Sequence, residues 1–214
     1  MHSIFIIDDH DIVRFGLSTL LGTCAGVRVA GVASSLHDGL NGIALCQPDL
    51  VVSDLSMPDS HGLDTVRAVV AAQAGRGVLI ISMHDELMYA EQALALGASG
   101  YLMKEKAQEQ ALEAVLSVLG GKLWVSPAVH AQMLGRLHLH PHVPGSVAGG
   151  APHAKLSARE LEVIELLGAG KTTKGIAFAL GLSARTVDIH RANLKKKLGL
   201  KSGAELISWA ASRL

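Results

Sequence analysis

The sequence predicts an α/β doubly wound domain with a five-stranded parallel sheet, followed by an all-α helix-turn-helix unit. Three observations carry this expectation. Five short runs between Ser3 and Met103 are apolar almost throughout, as suits strands covered on both faces. Segments with helical spacing of Leu, Ile, Val and Ala alternate with them, which is the pattern of a doubly wound sheet. Beyond residue 155 the apolar positions recur only at helical spacing, with glycine-bearing turns between.

The first strand is Ser3 to Ile7, stopping at Asp8-Asp9, and a helix follows from Asp11 to about Cys24 with Asp11 as its N-cap. A second strand, Val27 to Val32, leads to a helix from Leu36 to Cys46. Leu50-Val-Val-Ser is the third strand, ending on Asp54, with a helix from about Ser60 to Ala74 after Met57-Pro58. Gly77 to Ser82 is the fourth strand, and the helix from about Glu86 to Leu96 closes on Gly97. Ser99 to Met103 is the fifth strand, stopping at Lys104, and Ala107 to Leu119 is the fifth helix before Gly120-Gly121.

Length and composition limit the possibilities. At 214 residues and 49% apolar content the chain can bury two modest cores, and the 3% aromatic content makes those cores aliphatic. No apolar run approaches the roughly 20 residues of a membrane span. Met-His-Ser-Ile-Phe-Ile-Ile-Asp-Asp lacks the basic region and cleavage site of a secretion signal, so a cytoplasmic location with no membrane partner is expected. Cys24 and Cys46 form no motif and are expected to be buried thiols in a reducing compartment. The zero net charge conceals a split. Residues 1–125 hold 14 acidic against 7 basic side chains, and residues 126–214 hold 5 against 12. An acidic unit is thus joined to one suited to a polyanion.

In a parallel sheet ligands gather beyond the carboxyl ends of the strands. Those ends carry Asp8, Asp9, Asp54, Ser82 and Lys104. Three carboxylates brought together repel unless a cation intervenes, and an all-oxygen set with room for water suits Mg²⁺. A lysine and a hydroxyl beside them would receive an anion with several oxygens. The chemistry that fits is a Mg²⁺-assisted site where a phosphoryl group meets Asp54, as a covalent acyl phosphate.

Asp8-Asp9, Asp54 with Met57-Pro58 and Gly62, Ser82, and Tyr101 with Lys104 together resemble the receiver domain of bacterial two-component response regulators, over residues 1–122. The resemblance implies a flavodoxin-like fold and phosphoryl transfer to Asp54 from a sensor histidine kinase. It implies that Asp9, Asp54 and the backbone carbonyl of Ser56 hold Mg²⁺, with Asp8 acting mainly through water. Lys104 and Ser82 would grip the phosphoryl oxygens, and Tyr101 matches the aromatic that turns inward when the serine moves. Ser56 and His84 match the positions that tune the lifetime of the phosphorylated state. Lys104-Glu105 stands where many receivers have Lys-Pro, and a cis bond there would cost roughly 3 kcal/mol or more without proline.

Residues 123–154 read as a linker. Its start, Leu123 to Leu137, has helical character with Pro127 near the first turn, and it becomes Pro, Gly and His-rich from His138. Five of the eleven histidines lie between His130 and His153, and His138, His140 and His142 alternate. With no Cys or carboxylate beside them, an incidental linker is favoured over a metal site.

Residues 155–214 open on Leu156-Ser-Ala-Arg-Glu160, a capping box with Ser157 as N-cap. Thr173 to Leu180 and the helix from Ser183 to Leu198, joined through Gly181, form a helix-turn-helix, and a last helix runs from about Gly203 to Ser212. Val187, Leu194 and Leu198 share one face of the longer helix, while Arg185, Asp188, Ile189, Ala192, Lys195 and Lys196 lie mostly opposite. With the basic cluster Lys195-Lys196-Lys197 this favours insertion into a DNA major groove over a merely solvated face. Leu156-Ser, Glu160, Ile176-Ala177, Leu180-Gly-Leu-Ser183, Thr186-Val187, His190, Asn193-Leu194 and Lys197-Leu-Gly199 resemble the LuxR-type DNA-binding domain of NarL/FixJ response regulators. That resemblance implies DNA contacts at Lys174, Ser183, Arg185, Thr186, Asp188, Ile189, His190, Arg191, Ala192, Asn193, Lys195, Lys196 and Lys197. It also implies a homodimer contact on the last helix, at Leu206 and Trp209, unless Trp209 packs on its own domain.

The chain is therefore expected to be a phosphorylation-controlled transcription regulator acting on promoter DNA, and not an enzyme beyond phosphoryl transfer to its own Asp54. Two rivals stand beside it. One is a phosphatase or phosphotransferase with an aspartyl nucleophile, which leaves the helix-turn-helix unexplained. The other is a DNA-binding regulator whose first domain senses by binding or redox.

Overall fold

In the computed structural model, residues 1–138 and 156–212 are described. Of the alternating histidines, His140 and His142 lie outside the described residues. The chain forms two compact units, Met1–Met133 and Leu134–Leu214.

The first unit alternates strands and helices: β1 (His2–Ile7), α1 (Asp11–Gly22), β2 (Val27–Ala33), α2 (Leu36–Cys46), β3 (Leu50–Ser53), α3 (Leu63–Gln73), β4 (Gly77–Ser82), α4 (Glu86–Ala95), β5 (Gly100–Met103) and α5 (Ala107–Leu119). A single 3-10 turn, Lys104–Lys106, joins β5 to α5. All strand pairings are parallel, in the order β2-β1-β3-β4-β5. The apolar strands follow from this topology, because helices cover both faces. Ile4, Ile6, Leu50, Val52, Leu79 and Ile81 pack on one side with Leu17 and Leu21 of α1 and Ala111, Ala114, Val115 and Val118 of α5.

On the other side Phe5 and Ile7 meet α2, where two glycines let the helix approach. A Cβ at Gly42 would stand 2.1 Å from Phe5 Cζ, and one at Gly39 would stand 2.5 Å from Ile7 Cδ1. In a chain so poor in aromatics, the one ring on β1 is seated by removing side chains opposite it.

Several boundaries differ from the sequence expectation. The N-cap of α1 is His10, not Asp11, because the Asp8 carboxylate accepts the His10 backbone N–H at 2.8 Å and fixes the turn there. Ile12 and Phe15, although at helical spacing, are exposed at 77% and 70%, and Leu17 and Leu21 provide the buried stripe. Helix α3 starts at Leu63, not Ser60, since Met57 and Ser60 form an antiparallel bridge and Gly62 has φ 56°. Cys46 is exposed and Cys24 half-buried, so the expected pair of buried thiols is absent. Cys46 closes α2 on its solvent side. The described residues contain no cis peptide, that before Glu105 included. None of the described helices is long and apolar enough to cross a membrane.

The first unit extends past the boundary drawn at residue 122. Trp124 forms a parallel bridge with Gly100 at the free edge of β5, and helix α6 (Pro127–His138) begins on the same unit, with Val129 buried. The linker assignment for this stretch is thus replaced by an added edge segment.

The second unit contains α7 (Ala158–Gly168), α8 (Thr173–Ala179), α9 (Ala184–Leu198) and α10 (Gly203–Ala211). The capping box of Ser157 and Glu160 is present, and Thr172, Ser183 and Ser202 cap the other three helices. Gly181, at φ 63°, makes the turn between α8 and α9. Leu161, Ile164, Leu167, Ile176, Val187, Leu194, Leu206 and Ala210 form the core. Leu206 is fully buried there, which removes it as a dimer contact. Its face of α10 packs on α7 and α9.

Replacing Gly42 by alanine is expected to destabilise the first unit by about 1–3 kcal/mol, because the Phe5 ring must leave its seat. Urea unfolding of the variant should show a lower midpoint at an unchanged slope.

Candidate functional site

Two pieces of local chemistry converge where the strand order reverses, between β1 and β3. Asp8 and Asp9 follow β1, Asp54 follows β3, and the Asp54 backbone N–H donates to Ile7 at 2.7 Å, tying the two ends together. From β5, Lys104 reaches back so that its Nζ lies 2.7 Å from Asp8 Oδ2 and 2.6 Å from Asp54 Oδ2. All three side chains are almost completely buried. Asp54 Oδ1 accepts from the backbone N–H of Leu55 at 2.6 Å and, more distantly, from that of Ser56 at 3.4 Å.

Burial pushes the Asp54 carboxyl above its ordinary range, against the pull of the Lys104 ammonium, and Asp8 adds to the rise. Burial works the other way on Lys104, but the carboxylates of Asp54 and Asp8 outweigh it and hold the ammonium above its usual value. Lysine therefore remains charged while Asp54 sits in a costly environment for an anion. Such a carboxylate is a better candidate for reaction than for structural support.

Asp8, Asp9, His10 and Asp54 present ligand atoms all within 4.8 Å of one another, a set able to hold a metal ion. The residues fit this role. Asp9 Oδ1 is shielded from solvent and accepts no hydrogen bond, with His10 Nδ1 2.6 Å away. Asp8 is already engaged by the His10 N–H and Lys104. Sequence reasoning did not single out His10, nor Arg14, whose Nη1 donates to the Asp8 carbonyl at 2.5 Å. The adjacency of His10 to the paired aspartates was the available signal.

Above Asp54, Ser56 Oγ and His84 Nε2 lie 2.8 Å apart, so the two positions matched to lifetime tuning touch each other. Ser82 Oγ accepts the His84 N–H at 3.1 Å. Tyr101 points inward, 1% exposed, and its hydroxyl donates to the His84 carbonyl at 2.9 Å. Burial raises its phenol far above the ordinary range, so it stays a protonated donor. The structure thus brings Asp8, Asp9, Asp54, Ser56, Ser82, His84, Tyr101 and Lys104 into one cluster.

In the second unit α9 leaves Arg185, Asp188, Ile189, Ala192, Asn193 and Lys196 exposed, as does α8 Lys174. Thr186, His190 and Lys195 are half-buried at the edges of that face. Ser183 and Thr186 hydroxyls stand 2.8 Å apart, and Ser183 caps the helix through the Thr186 N–H at 3.0 Å. Two residues expected to meet DNA have other partners. Lys197 Nζ contacts the buried Glu160 at 2.6 Å, and Arg191 Nη1 donates to Thr173 Oγ1 at 2.6 Å, bracing α9 against α8. Trp209 is half-buried on α10.

Residues 4–116 match the model of the response regulator receiver domain, and residues 154–210 match that of the bacterial regulatory proteins of the luxR family. The chain belongs to the response regulators with a LuxR-type domain. Among its relatives, the transcriptional regulatory protein UhpA of Salmonella typhimurium is 34% identical, with 96% of each chain covered. The transcriptional regulatory protein MctR of Rhizobium johnstonii is 32% identical over 97% of this chain and 92% of its own. RcsB of Salmonella enterica serovar Typhimurium, solved bound to promoter rprA with the phosphomimetic BeF3-, shares the fold at a TM-score of 0.77 and 22% identity, covering 98% of each chain. The strand-end cluster lies within the matched receiver domain, and α8–α9 lies within the segment matched to the luxR family.

Burial works to raise the Glu160 carboxyl, but Lys197 and the Ser157 cap hold it below the ordinary carboxylate range. A depressed pKa contributes stability that is present above the unfolded-state value and lost as pH falls through the folded-state value. The second unit should accordingly unfold more easily on acidification below that range. Lys197→Met should cost about 1–3 kcal/mol in denaturant unfolding by stranding Glu160. It should leave the salt dependence of DNA binding unchanged, whereas Lys195→Ala should flatten the slope of log K against log salt by about one unit.

Proposed function

We propose that Asp54 is the phosphoacceptor of this response regulator and that its phosphorylation controls binding of α9 to promoter DNA. One observation carries the reading. Lys104 Nζ is held between Asp8 and Asp54, so a cation already flanks the carboxylate proposed to react. An oxygen of the Asp54 carboxylate attacks the phosphorus of a phosphohistidine on a sensor kinase. The O–P bond forms as the N–P bond breaks, and the imidazole leaves with the electron pair. Lys104 then pairs with the phosphoryl oxygens and Ser82 donates to one of them. Asp9, Asp54 and the Ser56 carbonyl, with Asp8 acting mainly through water, would hold Mg²⁺, which would supply charge neutralisation.

The reaction is self-modification followed by slow hydrolysis, without turnover of an outside substrate. Ser56 and His84, whose side chains meet at 2.8 Å, tune the lifetime of the acyl phosphate. On DNA, Lys174, Arg185, Thr186 and Lys195 contact phosphates or the groove rim. Asp188, Ile189 and Ala192 face the bases, with His190, Asn193 and Lys196 alongside. The protein acts in the cytoplasm, without a membrane partner, as a homodimer on DNA, with Trp209 of α10 at the contact.

Treatment of the full chain with acetyl phosphate and Mg²⁺ should add one phosphoryl group by intact mass, and none in Asp54→Ala. Absence of the adduct in the wild type would favour a sensor that works by binding or redox. Asp188→Ala should narrow the affinity gap between cognate and scrambled DNA by about 1–3 kcal/mol, measured as paired Kd values at one salt concentration. Equal weakening on both sequences would remove Asp188 from base recognition.

A further inference from the structure

His10 belongs to the strand-end cluster, yet neither the helix it starts nor the phosphoryl chemistry employs its imidazole. The backbone of this residue is fixed on both sides. Its N–H donates to Asp8 Oδ1 at 2.8 Å, and its carbonyl accepts the N–H groups of Val13 and Arg14 at 3.1 Å each. His10 is thereby the N-cap of α1, but its side chain makes no capping hydrogen bond. The ring turns instead to the carboxylates, with Nδ1 2.6 Å from Asp9 Oδ1 and 3.3 Å from Asp8 Oδ1.

At the shorter of these separations a hydrogen bond would be the ordinary outcome. Asp9 Oδ1 nevertheless accepts none, although it is shielded from solvent. The ring N–H is therefore not aimed at that oxygen, and a nitrogen and an oxygen stand side by side as two donor atoms. Asp8 is placed differently, since the His10 N–H and Lys104 engage its two oxygens. Ligand atoms of Asp8, Asp9, His10 and Asp54 all fall within 4.8 Å of one another, close enough for one ion to meet a nitrogen as well as oxygens. The His10 side chain is 59% exposed, so its outer face is open to water and to an arriving cation.

We infer that His10 Nδ1 is a direct ligand of the divalent cation at this site, which is then a mixed nitrogen–oxygen centre and not an all-oxygen one. The inference rests on the proposal above that the strand-end cluster holds such a cation. Its consequence is selectivity. A neutral imidazole adds a ligand without adding charge, which does little for Mg²⁺, an ion that keeps its waters and prefers oxygen. First-row transition-metal dications gain more when nitrogen replaces water, and they are the class this donor set favours. The His10 backbone is held before the ion arrives, so little further ordering is needed to bring the ring to it.

The test uses Mn²⁺ alone, the weakest-binding member of that series and so the most stringent probe, added in stoichiometric amount to the full chain. Electron spin-echo envelope modulation of the wild type should show coupling to an imidazole nitrogen, and His10→Ala and Asp9→Ala should each abolish it. By titration calorimetry, the ratio of the Mg²⁺ to the Mn²⁺ Kd should fall at least about tenfold in His10→Ala. A ring that only positions Asp9 would weaken both cations alike and give no nitrogen coupling. Bound Mn²⁺ without that coupling in the wild type overturns the inference and leaves the metal reading of the cluster standing. A coupling that persists in either variant traces to another histidine and overturns it too. Failure of both Mg²⁺ and Mn²⁺ to bind overturns the metal reading and the inference with it.

Discussion

Lys104 Nζ sits within 2.7 Å of two buried carboxylates, and the rest of the receiver depends on that contact. Asp8, Asp9 and Asp54 are forced together because β1 and β3 are neighbours and parallel, and the backbone bond from Asp54 to Ile7 holds their ends in register. Without a cation the cluster would be strongly repulsive in so dry an environment. Lysine from β5 offsets part of that repulsion, yet burial still leaves Asp54 with a raised pKa. The fold thereby keeps a carboxylate in an environment costly to an anion at the strand ends.

The same cluster is connected outward by ordinary hydrogen bonds. Ser82, His84 and Tyr101 form a short chain from the edge of the site to the start of α4, and Ser56 closes it from the other side through His84. These links join residues near Asp54 to the β4–α4 connection and to β5.

The second unit solves a different problem with the same economy of residues. Helix α9 exposes Arg185, Asp188, Ile189 and Lys196 while remaining fixed by charged side chains as well as by Val187 and Leu194. Lys197 reaches inward to Glu160, the residue that also completes the cap of α7, and Arg191 ties α9 to the first turn of α8. Two basic residues of α9 thus hold the helix in place within its own unit.

Much of this was legible in the residues. The five apolar strands, their polar termini, the capping box and the turn at Gly181 are local patterns, because strand burial, helix capping and positive-φ turns are set by neighbouring residues. The convergence of Asp8, Asp54, Ser82 and Lys104 also followed, since a parallel sheet puts all strand ends on one edge. Pairings between distant residues were not legible. Neither the Ser56–His84 contact, the Lys197–Glu160 ion pair, the burial of Leu206 nor the seating of Trp124 beside Tyr101 leaves a periodic trace. Sequence alone determined which elements form and which chemistry stands at their ends. Tertiary structure decided which charges face solvent and where the first unit stops, because these depend on which surfaces approach each other after the chain has folded.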